Sequence, residues 1–302
     1  MAITLDGHAV PLPANYAQTL MKNAFQQSVI APLTSSEPIP MGVDTIIPQY
    51  DGGIEAGFVG EAEPKPVSSA AYTFKTLAPR KLATIVVVSK EAARLNPQQM
   101  MQLVEADMRN AITRAIDFAI LYGKDAKSGD ALSGASFVNQ TTKRVELTSG
   151  DLVPQILDGY DQAAASDTSD PSGFAFDSRF RTKVAMATQQ VRTPEGVPQP
   201  MPNLATAADT VAGLRAAYGR VVAGRVGTNA DTGVKGFVGD WSKVRWGYAE
   251  QITMQRSTEA TIVDGVNTYH LFQQNLIALL VEAHVAWTVL DTAAFAAFED
   301  LE

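Results

Sequence analysis

Residues 46–90 hold the feature that most limits how this chain can fold, a long predicted hairpin whose outer part lacks an apolar face. Ile54–Val59 are predicted as its first strand, and Tyr72–Thr76 alternate apolar and polar side chains, as a half-exposed strand does. Residues 60–66 are charged and contain two prolines, which is typical of a hairpin tip. Because the outer hairpin is polar on both faces, it needs a partner surface.

The remaining sequence predicts a folded core. Hydrophobic residues make up 46% of the 302 residues and charged residues 19%, which is a globular composition. A long helix is predicted at 97–122, because Pro97 suits a first helical position, apolar residues follow helical spacing, and Gly123 suits the residue after a helix. Alternate residues from Ile277 to Val289 are apolar and predict one face of a long strand.

Residues 151–226 predict an α/β segment between these elements. Helices are expected at Leu152–Ala165 and Ser178–Val191, and a short buried strand at Gly173–Phe176. Val221–Ala223 also has the composition of a strand.

Charge and composition exclude several classes of protein. The chain has 24 basic and 32 acidic residues, a net charge of −8, whereas proteins that read nucleic acid sequences are normally basic. The absence of cysteine excludes disulfides, thiolate metal sites and cysteine nucleophiles. The longest apolar stretch, Leu276–Leu290, contains Glu282 and His284 and is too short to span a bilayer. We therefore expect a soluble protein with no membrane partner.

Motifs for catalysis or metal binding are weak. Glu282 and His284 share a strand face but lack a third ligand, which favours an ion pair or hydrogen bond over a metal site. Residues 123–129 lack the glycine spacing and the preceding strand of a phosphate-binding loop. Three aspartates are interpreted as solvated loop charge, namely Asp167, Asp170 and Asp177. The sequence predicts neither a cofactor nor a metal, and no enzymatic activity.

Three groups of residues, taken in order, point to one family. The first runs from Gly57-Phe58-Val59-Gly60-Glu61 through Phe74-Lys75-Thr76-Leu77 and Arg80-Lys81-Leu82-Ala83 to Leu121-Tyr122-Gly123. The second is Gly239-Asp240-Trp241-Ser242, and the third is Phe272–Ala283. Their order and spacing resemble the major capsid proteins of tailed bacteriophages, which have the Hong Kong 97-type fold.

The resemblance covers nearly the whole chain and implies an α+β fold with five parts. These are an N-terminal arm (1–45), an extended E-loop hairpin (46–90), a peripheral or P domain (91–150) with spine helix 97–122, an axial or A domain (151–250), and a return through the P domain with the C-terminal segment (251–302).

The implied function is that of a virion shell. Copies of the chain would assemble in the host cytoplasm as pentamers and hexamers into an icosahedral head around double-stranded DNA, with non-specific DNA contact. Portal, scaffolding and decoration proteins are the implied partners. Because only about fifty residues precede the E-loop, we expect assembly to use a separate scaffold protein or none. Residues expected to contact a neighbouring subunit are Glu61, Glu63, Lys65, Lys75 and Arg80.

Some members of the family crosslink their shells, when a loop lysine attacks an asparagine of a neighbour and a glutamate acts as base. Asn275 and Glu282 resemble that asparagine and glutamate in their spacing. Lys75 lies one residue from the expected lysine position, and a one-residue shift in a strand reverses the direction of the side chain.

Two other interpretations remain open at this stage. An encapsulin-like compartment resembles the same fold and would enclose cargo enzymes in place of DNA. A soluble α/β enzyme would need a convergent site, which the motifs do not provide.

Overall fold

Two β-sheets and a long helix form the core of the chain. The computed structural model describes residues 28–40, 43–50, 54, 56–61, 65–69, 72–91, 97–147, 152–165, 170–188, 191–192, 198–199, 209–227, 229–248, 253–265 and 267–300.

The helices are α1 (Pro97–Tyr122), α2 (Leu152–Ala164) and α3 (Arg181–Thr188). The strands are β1 (Glu37–Pro38), β2 (Thr45–Tyr50), β3 (Tyr72–Leu77), β4 (Arg80–Ser89), β5 (Arg144–Glu146), β6 (Gly173–Phe176), β7 (Val191–Arg192), β8 (Pro198–Gln199), β9 (Thr210–Val211), β10 (Leu214–Tyr218), β11 (Val234–Gly239), β12 (Val244–Tyr248), β13 (Thr253–Ser257), β14 (Thr261–Asp264), β15 (Asn267–His270), β16 (Leu276–Val289) and β17 (Phe295–Glu299).

The first sheet is organised by β16, which at 14 residues is the predicted long strand. It pairs antiparallel with β4, β12 and β13, and β1 adds to β12 in parallel. The odd-numbered residues from Val281 to Val289 lie in the main core cluster, which confirms the predicted apolar face. That face packs against α1 through Met108, Ile112 and Ile116.

Helix α1 has the predicted bounds, Pro97–Tyr122. Gly123 follows it with φ 63°, a left-handed conformation that favours glycine. A Cβ at this position would also lie 2.3 Å from the ring of Phe137. The end of the helix therefore needs glycine for two independent reasons.

The second sheet has the order β5-β17-β11-β6-β10-β9 and mixes parallel with antiparallel pairs. Helix α2 covers one face, where Ile156 and Ala163 join a cluster with Phe174, Phe176 and Phe298. The predicted strand at Gly173–Phe176 is confirmed, and the predicted helix at Leu152–Ala165 is observed as Leu152–Ala164.

Trp241 lies where the two sheets meet. Its side chain is fully buried, and its indole Nε1–H donates to the carbonyl oxygen of Gly173 at 3.0 Å. Its ring lies edge-on to that of Phe295 at 5.3 Å. The main core cluster contains residues of both sheets, so one continuous core joins them.

Three predicted elements differ from the structure. The described residues of Ile54–Val59 are not in a strand, and Thr45–Tyr50 pairs with β3 in their place. A strand must pair with a neighbouring strand, so strand propensity by itself does not decide which segment forms one. Val221–Ala223 lies in a 3-10 helix between Gly219 and Gly224, which has φ 73°. Ser178–Val191 divides into a 3-10 turn, α3 and the start of β7.

Within the described ranges, none of the helices combines the length and apolarity needed to cross a membrane.

Candidate functional site

The β2–β3 ribbon carries an apolar face that points to solvent. Ile46, Pro48, Phe74 and Tyr72 share this face, because Ile46 pairs with Thr76 and Pro48 with Phe74. Ile46, Tyr72 and Phe74 are 63%, 58% and 70% exposed. This differs from the prediction of two polar faces, which rested on the wrong first strand.

The opposite face of the ribbon is anchored to the first sheet. Leu77 is buried in a small cluster with Ile39 and Ala286, against which Ile47 also packs. We call this cluster the ribbon root. A two-stranded ribbon is only marginally stable by itself. The ribbon root covers one of its faces, so the outer apolar face still needs to be covered by another surface.

The tip of the hairpin is also exposed. Phe58 and Val67 are 111% and 97% exposed, and Glu61 and Lys65 are exposed as well. Glu63 lies outside the described residues. Contact of these three charged residues with a neighbouring subunit stays a prediction.

Arg80 has partners within its own chain. Its guanidinium lies 5.6 Å from the centre of the Trp287 indole ring, and its Nη2 donates to the carbonyl oxygen of Ser133. Lys75 lies on β3 opposite Ile47 and is half-buried. For both residues, contact with a neighbouring subunit stays a prediction.

The three crosslink candidates do not form a site within one copy. Asn275 is exposed in the turn before β16, with φ 57°, and Glu282 lies seven residues further along. At ~3.3 Å per strand residue, about 23 Å separate them. The Glu282 carboxylate pairs with Lys81 at 2.6 Å. A crosslink through these residues would need groups from separate copies.

The first described residues of the arm are held by a buried carboxylate that the sequence did not indicate. Asp117 of α1 accepts hydrogen bonds from the Ser28 hydroxyl and, at 2.8 Å, from the Val29 N–H. Ser28 Oγ in turn accepts from the N–H groups of Ile30 and Ala31. Burial of Asp117 raises its pKa from 3.8 to about 7, although these hydrogen bonds act in the opposite direction.

The arm then runs along the first sheet through β1. The Ile39 N–H donates to the Tyr248 carbonyl at 3.2 Å, and Glu37 pairs with Arg245 at 2.5 Å. Beside them, β12 has Gly247, where a Cβ would lie 1.8 Å from the Glu37 carbonyl oxygen. The described part of the arm thus depends on a close backbone approach that only glycine permits.

We expect Gly247→Ala to displace β1 and lower the free energy of unfolding by about 1–3 kcal/mol, because backbone atoms must move to relieve the overlap. Urea unfolding and limited proteolysis within the arm measure this. Gly57→Ala is the matched control, since its Cβ would meet Pro66 at an ordinary 3.5 Å. Equal effects of the two substitutions would contradict the expectation.

Asp177 corrects one sequence interpretation. Its side chain is buried, not solvated, and both of its oxygens accept from Arg225 Nη2, at 2.8 and 2.6 Å. It also accepts from the Arg179 N–H and so caps the 3-10 turn after β6. The partner, Arg225, lies 48 residues away, so local sequence could not reveal the pair.

Comparison with known proteins decides the family. The model of the phage capsid family matches residues 8–300. The chain belongs to the phage capsid family. This confirms the expectation of a phage capsid protein that is not an enzyme.

Particular relatives agree with this assignment. The "probable major capsid protein gp17" of Mycobacterium phage D29 is 28% identical over 279 residues, which cover 88% of this chain and 83% of that protein. A solved chain of Gordonia phage Cozz has a TM-score of 0.74 and 27% identity, covering 91% of this chain and 87% of that one. A capsid chain of an empty GTA particle, computed with C5 symmetry, shares the fold with a TM-score of 0.57 and 11% identity, over 91% and 90% of the two chains.

Proposed function

We propose that this capsid protein has the Hong Kong 97-type fold and assembles as pentamers and hexamers into the icosahedral head of a tailed phage, around double-stranded DNA. The supporting observation is the exposed apolar face of the β2–β3 ribbon. A large exposed apolar patch marks an interaction surface. The apolar side chains on this face of the ribbon are mostly exposed in the single copy, so another molecule is needed to cover them.

The proposed parts of the chain follow the sequence interpretation. The arm is 1–45, the E-loop 46–90 and the P domain 91–150 with 251–302, while 151–250 form the A domain. Assembly in the host cytoplasm, contact with portal, scaffolding and decoration proteins, and non-specific contact with DNA belong to the same proposal. The net charge of −8 supports weak DNA contact, since tight binding would need clustered basic residues.

Electron microscopy of the recombinant protein tests the proposal. We expect closed icosahedral particles or rings of five and six subunits, and dispersed monomers at high concentration would contradict it. Nuclease-protected DNA in particles from infected cells would separate a phage head from an encapsulin-like compartment.

We expect Ile46→Ser with Phe74→Ser to abolish assembly while changing the free energy of unfolding of the isolated subunit by less than about 0.5 kcal/mol. Both side chains are mostly exposed in the single copy, and surface substitutions cost little. Sedimentation and urea unfolding measure the two effects. Val263→Ser is the control, since Val263 is 67% exposed on β14, outside the ribbon. Normal assembly of the double variant would exclude the ribbon as an essential contact.

The crosslink through Lys75, Asn275 and Glu282 stays a separate prediction, which a denaturing gel of mature particles tests. Covalent multimers that disappear in Lys75→Arg and Asn275→Asp would assign the bond. A single band of monomer size would exclude it.

A further inference from the structure

The first described residues of the arm cross the core as a short strap. Residues 28–34 contact α1, β10 and β12, and we call them the arm strap. Ile30 is fully buried and Val29 almost so, and both belong to the main core cluster. The N–H groups of Leu33 and Thr34 both donate to the Ile30 carbonyl oxygen, at 2.9 and 3.0 Å, so the strap contains a tight turn.

Polar contacts hold the far end of the arm strap to both sheets. The Thr34 hydroxyl donates to the Val244 carbonyl oxygen of β12 at 3.2 Å, and Arg215 Nη1 of β10 donates to the Pro32 carbonyl oxygen, also at 3.2 Å. A hydroxyl stays neutral and a guanidinium stays protonated between pH 5 and 8. Neither contact therefore responds to pH in this range.

The near end of the arm strap covers a carboxylate. Asp117 of α1 is 1% exposed, and the Ser28 hydroxyl and the Val29 N–H donate to it. Among the residues that the structure describes, no cation pairs with this carboxylate. Burial without a cation favours the neutral form, because taking the charge out of water is costly. Opening the strap would admit water and remove that cost.

The charged groups around this site do not replace the missing cation. The arm strap itself contains no titratable side chain. The charged or titratable residues of α1 within one turn of Asp117, and of the elements that pack against this helix, are Arg114, Arg220 of the 3-10 helix after β10, Arg80 and Lys81 of β4, and Glu282 and His284 of β16. In the described parts of the chain, none of them forms an ion pair with Asp117. Burial is the largest cause of its raised pKa, about 7, and the hydrogen bonds from the strap act against it.

We propose that the arm strap stays closed over α1 while Asp117 is protonated, and that it opens more readily, ahead of the rest of the core, once this carboxylate is ionised. Opening is favoured as pH rises because the open strap lets the carboxylate lose its proton to water. An open strap frees the chain before β1 and uncovers the apolar seat of Val29 and Ile30. The switch belongs to the single copy and does not depend on the shell function.

Hydrogen–deuterium exchange of the full chain, measured on unassembled copies from pH 5 to 8, tests the switch. Its reporters are the N–H groups that are hydrogen-bonded in the closed strap, namely those of Val29, Ile30, Ala31, Leu33 and Thr34. After correction for the intrinsic pH dependence of exchange, we expect their protection to fall by roughly a hundredfold from pH 5 to 8, mostly below pH 7. Peptides of β16 are the internal reference and should be more strongly protected at every pH.

Asp117→Asn removes the titrating group, so it should abolish this pH dependence. The matched control is Asp240→Asn, which should leave the pH dependence unchanged. Asp240 is also an aspartate with little exposure, it accepts a hydrogen bond from the Ser242 N–H at 3.0 Å, and it lies outside the strap. A pH dependence that persists in Asp117→Asn, or disappears in Asp240→Asn, would overturn the proposal.

Ser28→Ala keeps the carboxylate and decides the matter if Asp117→Asn does not fold. It removes a hydrogen bond that favours the ionised form, so the strap should lose more protection, relative to the wild type, at pH 8 than at pH 5. An equal loss at both pH values would contradict the role of Asp117. Exchange of the strap together with β16 at every pH would show that the strap opens only when the whole core unfolds, which also overturns the proposal.

Discussion

Trp241→Ala will lower the free energy of unfolding by about 3–5 kcal/mol, the cost of emptying a fully buried aromatic site. The substitution also leaves the Gly173 carbonyl without the 3.0 Å hydrogen bond from the indole. Because Trp241 belongs to the core cluster that contains residues of both sheets, we expect both sheets to lose stability in one transition. Urea unfolding of unassembled protein, followed by circular dichroism, measures this loss.

Trp241→Phe provides the graded comparison. It keeps most of the apolar volume and loses the donor, so we expect about 1–2 kcal/mol. A loss below about 1 kcal/mol for Trp241→Ala would show that the sheets do not depend on this residue. Two separate unfolding transitions would show that the core is not continuous.

The stability of the wild-type subunit will fall as pH rises from 5 to 8, and Asp117 is the cause. Its pKa is about 7 in the folded chain and 3.8 in the unfolded chain, so between these values the unfolded chain releases a proton that the folded chain keeps. The stabilising contribution is complete below pH 4 and is lost as pH approaches 7. Over pH 5–8 the loss is on the order of 3 kcal/mol.

Two variants isolate this effect. Asp117→Asn removes the titrating group, so the fall in stability between pH 5 and 8 should largely disappear. Ser28→Ala keeps the carboxylate but removes a hydrogen bond that favours its ionised form, so the fall should continue to higher pH. An unchanged pH profile in Asp117→Asn would refute the assignment.

Local sequence predicted the elements whose pattern is long. Helix α1 has the expected bounds because 26 residues of helical spacing end at a glycine, and β16 has the expected core face because alternation continues over 14 residues. The first ribbon strand was misplaced because Ile54–Val59 and Thr45–Tyr50 both have strand propensity. Pairing with β3 selects Thr45–Tyr50, although this segment contains Pro48.

Groups that meet from distant parts of the chain could not be predicted. Asp177 and Arg225 are 48 residues apart, and only the fold brings Arg225 to the carboxylate. The Ser28–Asp117 bond joins residues 89 positions apart.

The ribbon root has a mechanical consequence. Helix α1 and strand β16, ~39 and ~46 Å long, pack side by side as a stiff plate with a large shared core. Among the residues that the structure describes, the β2–β3 ribbon joins this plate through a cluster of three buried side chains, Ile39, Leu77 and Ala286. Bending should therefore concentrate there, so that identical copies meet their neighbours at different angles while each plate keeps its shape.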